Sequence, residues 1–162
     1  MAYFVFISFF IICVKIRAGG DIMKYEKYAE IQYDGVISFK TELDEAMIPY
    51  YIHKVEEVIS VLNTEVNGKI LFRRDGGGKF EFIVPVSKPV STCEHYEYKP
   101  VFRLKGLLTA RHYDKFEKIK NTFFDISDFM KKNSLKAITK SYFSMENEYC
   151  YTIYIGINPN IC

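Results

Sequence analysis

The chain has 162 residues, enough for one domain with a sizeable core. Hydrophobic residues make up 49% of it and aromatics 17%, which excludes a disordered chain. Its 22 basic and 20 acidic residues leave a net charge of +2, and the lysines are spread rather than blocked, so nothing general argues for a nucleic-acid partner.

The chain opens with "MAYFVFISFFIICVKIRAGGDIM". The apolar run from Ala2 to Val14 is shorter than the ~20 residues a spanning helix needs. A secretory signal places its positive charge before the apolar run, whereas Lys15 and Arg17 follow it here. Ala18-Gly19-Gly20 can be encoded GCA-GGA-GGT, which contains the ribosome-binding sequence AGGAGGT, and Asp21-Ile22 then space it from the ATG of Met23. The expectation is that residues 1–22 are translated upstream sequence and Met23 is the natural start. A membrane or export segment and a folded element are the alternatives, and the chain meets a membrane only if residues 1–22 are genuinely part of it. Cys13, Cys93, Cys150 and Cys162 form no C-x-x-C pair, and three cysteines remain after Met23. They read as free thiols in a reducing compartment, which places the chain in the cytoplasm.

From Met23 onward two halves, about 24–86 and 98–158, read alike within a single domain of residues 23–162. "KYAEIQYDGVISFKTEL" is a strand-like run. In "DEAMIPYYIHKVEEVISVLN", Ile48, Ile52, Val55, Ile59 and Leu62 recur at helical spacing. Asp44 or Thr41 can cap that helix, and Pro49 is tolerated near its start. Asn67-Gly68 breaks the pattern. "KILFRRDGGGKFEFIVPV" then predicts a hairpin around Asp75-Gly76-Gly77-Gly78. The segment Ser87 to Lys99 joins the halves. In the second half "YKPVFRLKGLLTARHY" reads as a strand. "DKFEKIKNTFFDISDFMKKN" puts Phe116, Ile119, Phe123, Ile126 and Met130 on one stripe, with Lys131-Lys132-Asn133 suited to a helix end. "LKAITKSYFSMENEYCYTIYIGI" supplies two more strands. The expected fold is α+β: two βαββ repeats forming an antiparallel sheet with two long helices on one face.

Aromatic residues are the candidate pocket lining: Tyr33, Phe80, Phe82, Tyr113, Tyr142, Phe143, Tyr151 and Tyr154, against the alternative that each is core packing. "RRDGGGK" lacks the Ser/Thr and the following helix of a phosphate loop, so it reads as a hairpin turn. His53, His95 and His112 have no partners at metal-binding spacing, and Cys93 with His95 makes no zinc set, so they read as surface or pocket-edge residues. Neither metal nor cofactor is implied. No G-x-S-x-G, H-E-x-x-H or spaced nucleophile–base pair appears, so no catalytic residue is assigned.

Two stretches, "ISFKTELDEAMIPYYIHKVEEVISVL…KILFRRDGGGKFEFIVPV" and "LLTARHYDKFEKIKNTFFDISDFMKKN…ITKSYFSMENEYCYTIYIGI", resemble the GyrI-like small-molecule-binding superfamily, the effector-binding fold of multidrug-sensing regulators. A firmicute family of similar length, domain of unknown function 5085, is similar too. The resemblance covers residues 24–158 and consists of residue-class patterns. It implies a stand-alone binding domain, without a DNA-binding segment, that takes a small amphipathic molecule in the groove between its halves. The candidate ligand residues are Tyr33, Tyr113 and Tyr154, from the aromatic set, with Lys140 and Tyr142, which the resemblance places on the family's motif. Drug-binding members carry a Glu two residues before the penultimate-strand Tyr, and Lys140 occupies that place before Tyr142. Unless Glu81, Glu146 or Glu148 substitutes, this favours an anionic or neutral ligand. The alternative is a protein-interaction module such as an adaptor, chaperone or immunity factor. A ring-opening hydrolase of the kind found among some superfamily members is the third reading, and the missing Glu argues against it.

Overall fold

The computed structural model describes residues 25–159. The expectations about residues 1–22, Cys13 and Cys162 therefore lie outside the described residues. In chain order the strands and helices are β1 (Glu26–Tyr33), β2 (Val36–Glu42), α1 (Ile48–Ile59), β3 (Leu71–Gly76), β4 (Lys79–Pro85), β5 (Glu97–Lys99), β6 (Phe102–His112), α2 (Ile119–Lys132), β7 (Leu135–Ala137), β8 (Tyr142–Asn147) and β9 (Cys150–Pro159). The α+β class and the antiparallel sheet are as the sequence predicts. Among the described residues no helix is long and apolar enough to cross a membrane.

The sheet order is β1-β6-β9-β8-β3-β4-β2-β5, with β7 pairing β9 off this path. The repeat is visible in that order. Strands β2-β4-β3 of the first half match β6-β9-β8 of the second, and the halves meet antiparallel at β3 and β8.

The structure departs from two simple βαββ units at each half's first strand. The run around Asp34-Gly35 is two strands rather than one, and so is the run around Pro100-Val101. At the first break Gly35 has φ +130°, where a Cβ would meet the Tyr98 hydroxyl at 3.0 Å. At the second, Pro100 has no N–H to give a ladder. Each preceding strand crosses to the other half: β1 pairs β6, and β5 pairs β2. The crossings run side by side, Tyr33 opposite Phe102 and Val36 opposite Lys99.

This exchange forces curvature. In a flat sheet β1 and β2 lie six strand spacings apart, about 29 Å at ~4.8 Å each. The three Cα steps from Tyr33 to Val36 span at most about 11 Å. The sheet must curl into a half-barrel, and the β1–β6 and β5–β2 pairs draw its edges together.

Two apolar clusters follow. On the outer face both helices pack over the sheet through Ile48, Ile52 and Ile59 of α1 and Ile119, Ile126 and Phe129 of α2. Beneath them lie Phe72, Phe82, Phe143 and Tyr151. The inner face gathers Val36, Leu71, Ile83, Leu107, Tyr142 and Tyr154, with Ile31, Tyr33 and Phe102 packed against them. Of the α2 stripe, Phe116, Ile119 and Ile126 are buried as expected, while Phe123 and Met130 are half-buried and Phe129 is buried in addition.

Candidate functional groove

Each helix starts through a short 3₁₀ turn, Glu45–Met47 before α1 and Phe116–Lys118 before α2. Asp44 caps the first, its Oδ1 accepting from the Ala46 N–H at 3.0 Å. The second is held from the sheet by His112 at the end of β6. His112 Nε2 lies 2.9 Å from the Lys115 carbonyl oxygen, and Nδ1 lies 2.7 Å from Thr122 Oγ1. A carbonyl only accepts, so in the neutral ring Nε2 donates and Nδ1 accepts from the threonine hydroxyl. His112 is thus a buried anchor, 4% exposed, rather than the surface or pocket-edge residue expected.

The two turns face each other across the junction of the halves and leave a groove of about 240 Å³. Tyr151 of β9 forms its floor, and Phe116, Tyr50 and Tyr149 line it with Glu45, Glu117, Glu148 and Lys115. Tyr50 and Tyr149 are more than half exposed at the rim. Tyr151 is fully buried, and its hydroxyl has no hydrogen-bond partner among the described residues. Burial, helped by the charges of Glu148 and Glu117, pushes its pKa up to about 12. Among the described residues, Glu45 is the one groove carboxylate in an ion pair. It accepts from Arg74 Nε at 2.9 Å, and the Arg74 guanidinium lies 5.1 Å from the centre of the Phe116 ring.

The five ligand residues expected from the sequence lie outside this lining. Tyr33, Tyr142 and Tyr154 do come together, but on the inner face, and their hydroxyls have partners. Tyr33 donates to the Lys69 carbonyl at 3.0 Å, Tyr142 accepts from Arg73 Nη1 at 3.3 Å, and Tyr154 shares a 3.0 Å bond with Ser144. Tyr113 is half exposed, beside Arg111. Lys140 precedes β8 on the surface, its side chain 58% exposed and 3.5 Å from Asp75.

The three carboxylates named as substitutes for the missing Glu separate clearly. Glu81 is buried on the inner face and accepts from Arg73 Nε at 2.5 Å. Glu146 is paired with Lys69, which, with a Thr152 bond, holds its carboxyl below the usual range. Glu148 lines the groove, with no ion pair among the described residues. Of the groove residues outside the expected set, Glu45 and Glu117 carry a readable signal, each being an acidic residue in the first turn at its repeat's helix start.

No protein-family model matches the chain, and no curated protein matches it. Solved structures match its fold. The C-terminal domain of EcmrR superposes with a TM-score of 0.58 at 11% identity, covering 81% of this chain and 98% of that domain. EcmrR in a DNA complex gives 0.59 at 13% identity, and there this chain, matched over 83% of its length, spans 57% of the EcmrR chain. A protein described as a hydrolase from Listeria innocua gives 0.53 at 10% identity, covering 84% of this chain and 91% of that one. These likenesses establish the fold alone, one that this chain shares with the EcmrR C-terminal domain.

Proposed function

We propose that this chain contains a GyrI-like binding domain that takes a small amphipathic molecule carrying a positive charge in the groove over Tyr151. The observation that carries the reading is the Tyr151 hydroxyl, buried without a partner at the floor of an acidic, aromatic groove. Leaving such a group unpaired costs about 1–3 kcal/mol, which a ligand donor or acceptor reaching it recovers. The tyrosine and phenylalanine rings offer π faces to a cation, and Glu117 and Glu148, which form no ion pair among the described residues, outnumber the one lysine of the lining, Lys115. Lys140 stands outside the groove, so the expectation of an anionic or neutral ligand built on it gives way to this charge pattern. A cytoplasmic site of action goes with the same reading.

Thermal shift with two ligands of similar size and opposite charge tests it. Benzyltrimethylammonium is expected to raise Tm, benzylsulfonate to leave it unchanged, and Glu117→Gln with Glu148→Gln to abolish the cation's effect. Equal shifts from both ions, or an effect that survives the double substitution, sink the reading.

The second reading, a protein-interaction module, is favoured by the exposed apolar side chains Val58, Val61 and Phe124 on the outer sides of the helical segments. A groove that responds to neither ion favours it. Hydrolase chemistry has no comparable support in the groove.

A further inference from the structure

A second cleft of about 360 Å³ lies wholly within the second half, between one flank of α2 and the β7–β8 segment. No residue of α1 or of the Tyr151 groove lines it. Its floor is Ile126, Leu135 and Ile155, all buried, and Phe123 and Met130 form its walls. Its rim carries Ser127 and Ser141 and two charged side chains, Lys131 and Lys136. Both lysines are exposed, and neither has an ion-pair partner among the described residues. The acids of α2 lie on the other flank, where Asp125 and Asp128 face Tyr25. The terminal carbonyls of α2 are met by Asn133, whose N–H lies 3.1 Å from the Phe129 oxygen and whose Nδ2 lies 2.8 Å from it, so the lysines are not needed there as caps. The cleft therefore combines an apolar trough with a positively charged rim, whereas carboxylates predominate in the groove over Tyr151.

We propose that this cleft binds an aliphatic monocarboxylate, its alkyl chain along Phe123, Met130 and Ile155 and its carboxylate between Lys131 and Lys136. The apolar floor favours burial of methylenes, and the paired lysines select the anion over a cation of equal length. The volume sits at the low end of small-molecule sites, which fits a medium-length single chain.

Decanoate below its micelle-forming concentration is the probe, read by methyl NMR on the full chain. Saturable shifts are expected at Met130, Ile126 and Ile155. Decyltrimethylammonium is expected to bind this cleft at least tenfold more weakly. Lys131→Glu with Lys136→Glu, both surface changes, is expected to weaken decanoate about tenfold and to leave benzyltrimethylammonium binding unchanged. Ser127→Phe, which fills the trough from its rim, serves as a second variant and is expected to block decanoate. The proposal is overturned by decanoate shifts confined to the Tyr151 groove, by equal affinity for the cationic chain, by absence of saturation, or by either variant binding decanoate as the parent does.

Discussion

The ring of Tyr151, on the last strand, packs 5.4 Å from the ring of Phe116, in the turn that starts the second helix. Phe116 also meets Phe72 at 5.2 Å and Phe143 at 5.0 Å. The groove floor is therefore continuous with the aromatic core at the junction of β3 and β8. Ring packing fixes the floor, while the buried hydroxyl is left without a partner among the described residues.

Tyr151→Phe should accordingly separate stability from binding. Removing an unpaired buried hydroxyl relieves its desolvation, so the variant is expected to be as stable as the parent or about 1 kcal/mol more stable. Binding of benzyltrimethylammonium should weaken severalfold. Urea denaturation at constant m and the thermal shift of the ligand complex measure the two effects. A loss of more than ~1 kcal/mol shows that the hydroxyl is bonded in solution and removes the argument.

The inner face should prove intolerant of a broken charge pair and tolerant of its removal. Glu81→Leu leaves the Arg73 guanidinium, with its side chain 26% exposed, without its carboxylate. A cost of about 2–3 kcal/mol is expected, below that of a fully buried pair because water reaches the arginine. Arg73→Met together with Glu81→Leu should recover most of it. A double variant no more stable than the single one contradicts this account.

Gly35 should be needed for the exchange of first strands between the halves. Its φ of +130° is open to glycine and strained for other residues, and an added Cβ meets Tyr98 at 3.0 Å. Gly35→Ala is expected to destabilise by about 1–3 kcal/mol. Gly77→Ala, at φ +60° with nothing within 4 Å, should cost less. Equal denaturation midpoints for the two variants would show that closure does not depend on this turn.

Alkaline pH should unfold the domain early. Burial raises Tyr25, Tyr33 and Tyr151 to about 12, above the ordinary tyrosine value of about 10. A raised folded pKa means that the folded chain keeps its protons longer than the unfolded one. The stability from these groups is fully present below pH ~10 and falls as pH rises toward 12. Tyrosinate absorbance and circular dichroism followed together should show these rings ionising with the loss of structure. Tyr151→Phe should move that transition to higher pH.

The local elements and the repeat were legible in the amino-acid pattern. Apolar spacing in Ile48, Ile52 and Ile59 and in Phe116, Ile119 and Ile126 marks both helices, because one face of each must be buried. The glycine run after Asp75 marks the hairpin, because its turn needs positive φ at Gly76, Gly77 and Gly78. Which partner each first strand takes emerged from the folded chain, since β1 with β6 and β5 with β2 are long-range pairings that alternation cannot specify. That choice curls the sheet, and the curl sorts the tyrosines. Tyr142 and Tyr154 point inward and find partners in Arg73 and Ser144. Tyr151, an odd number of residues from Tyr154, points outward beneath the meeting helix starts. Strand parity could separate those faces, but which of them held an unsatisfied hydroxyl depended on what folded over it.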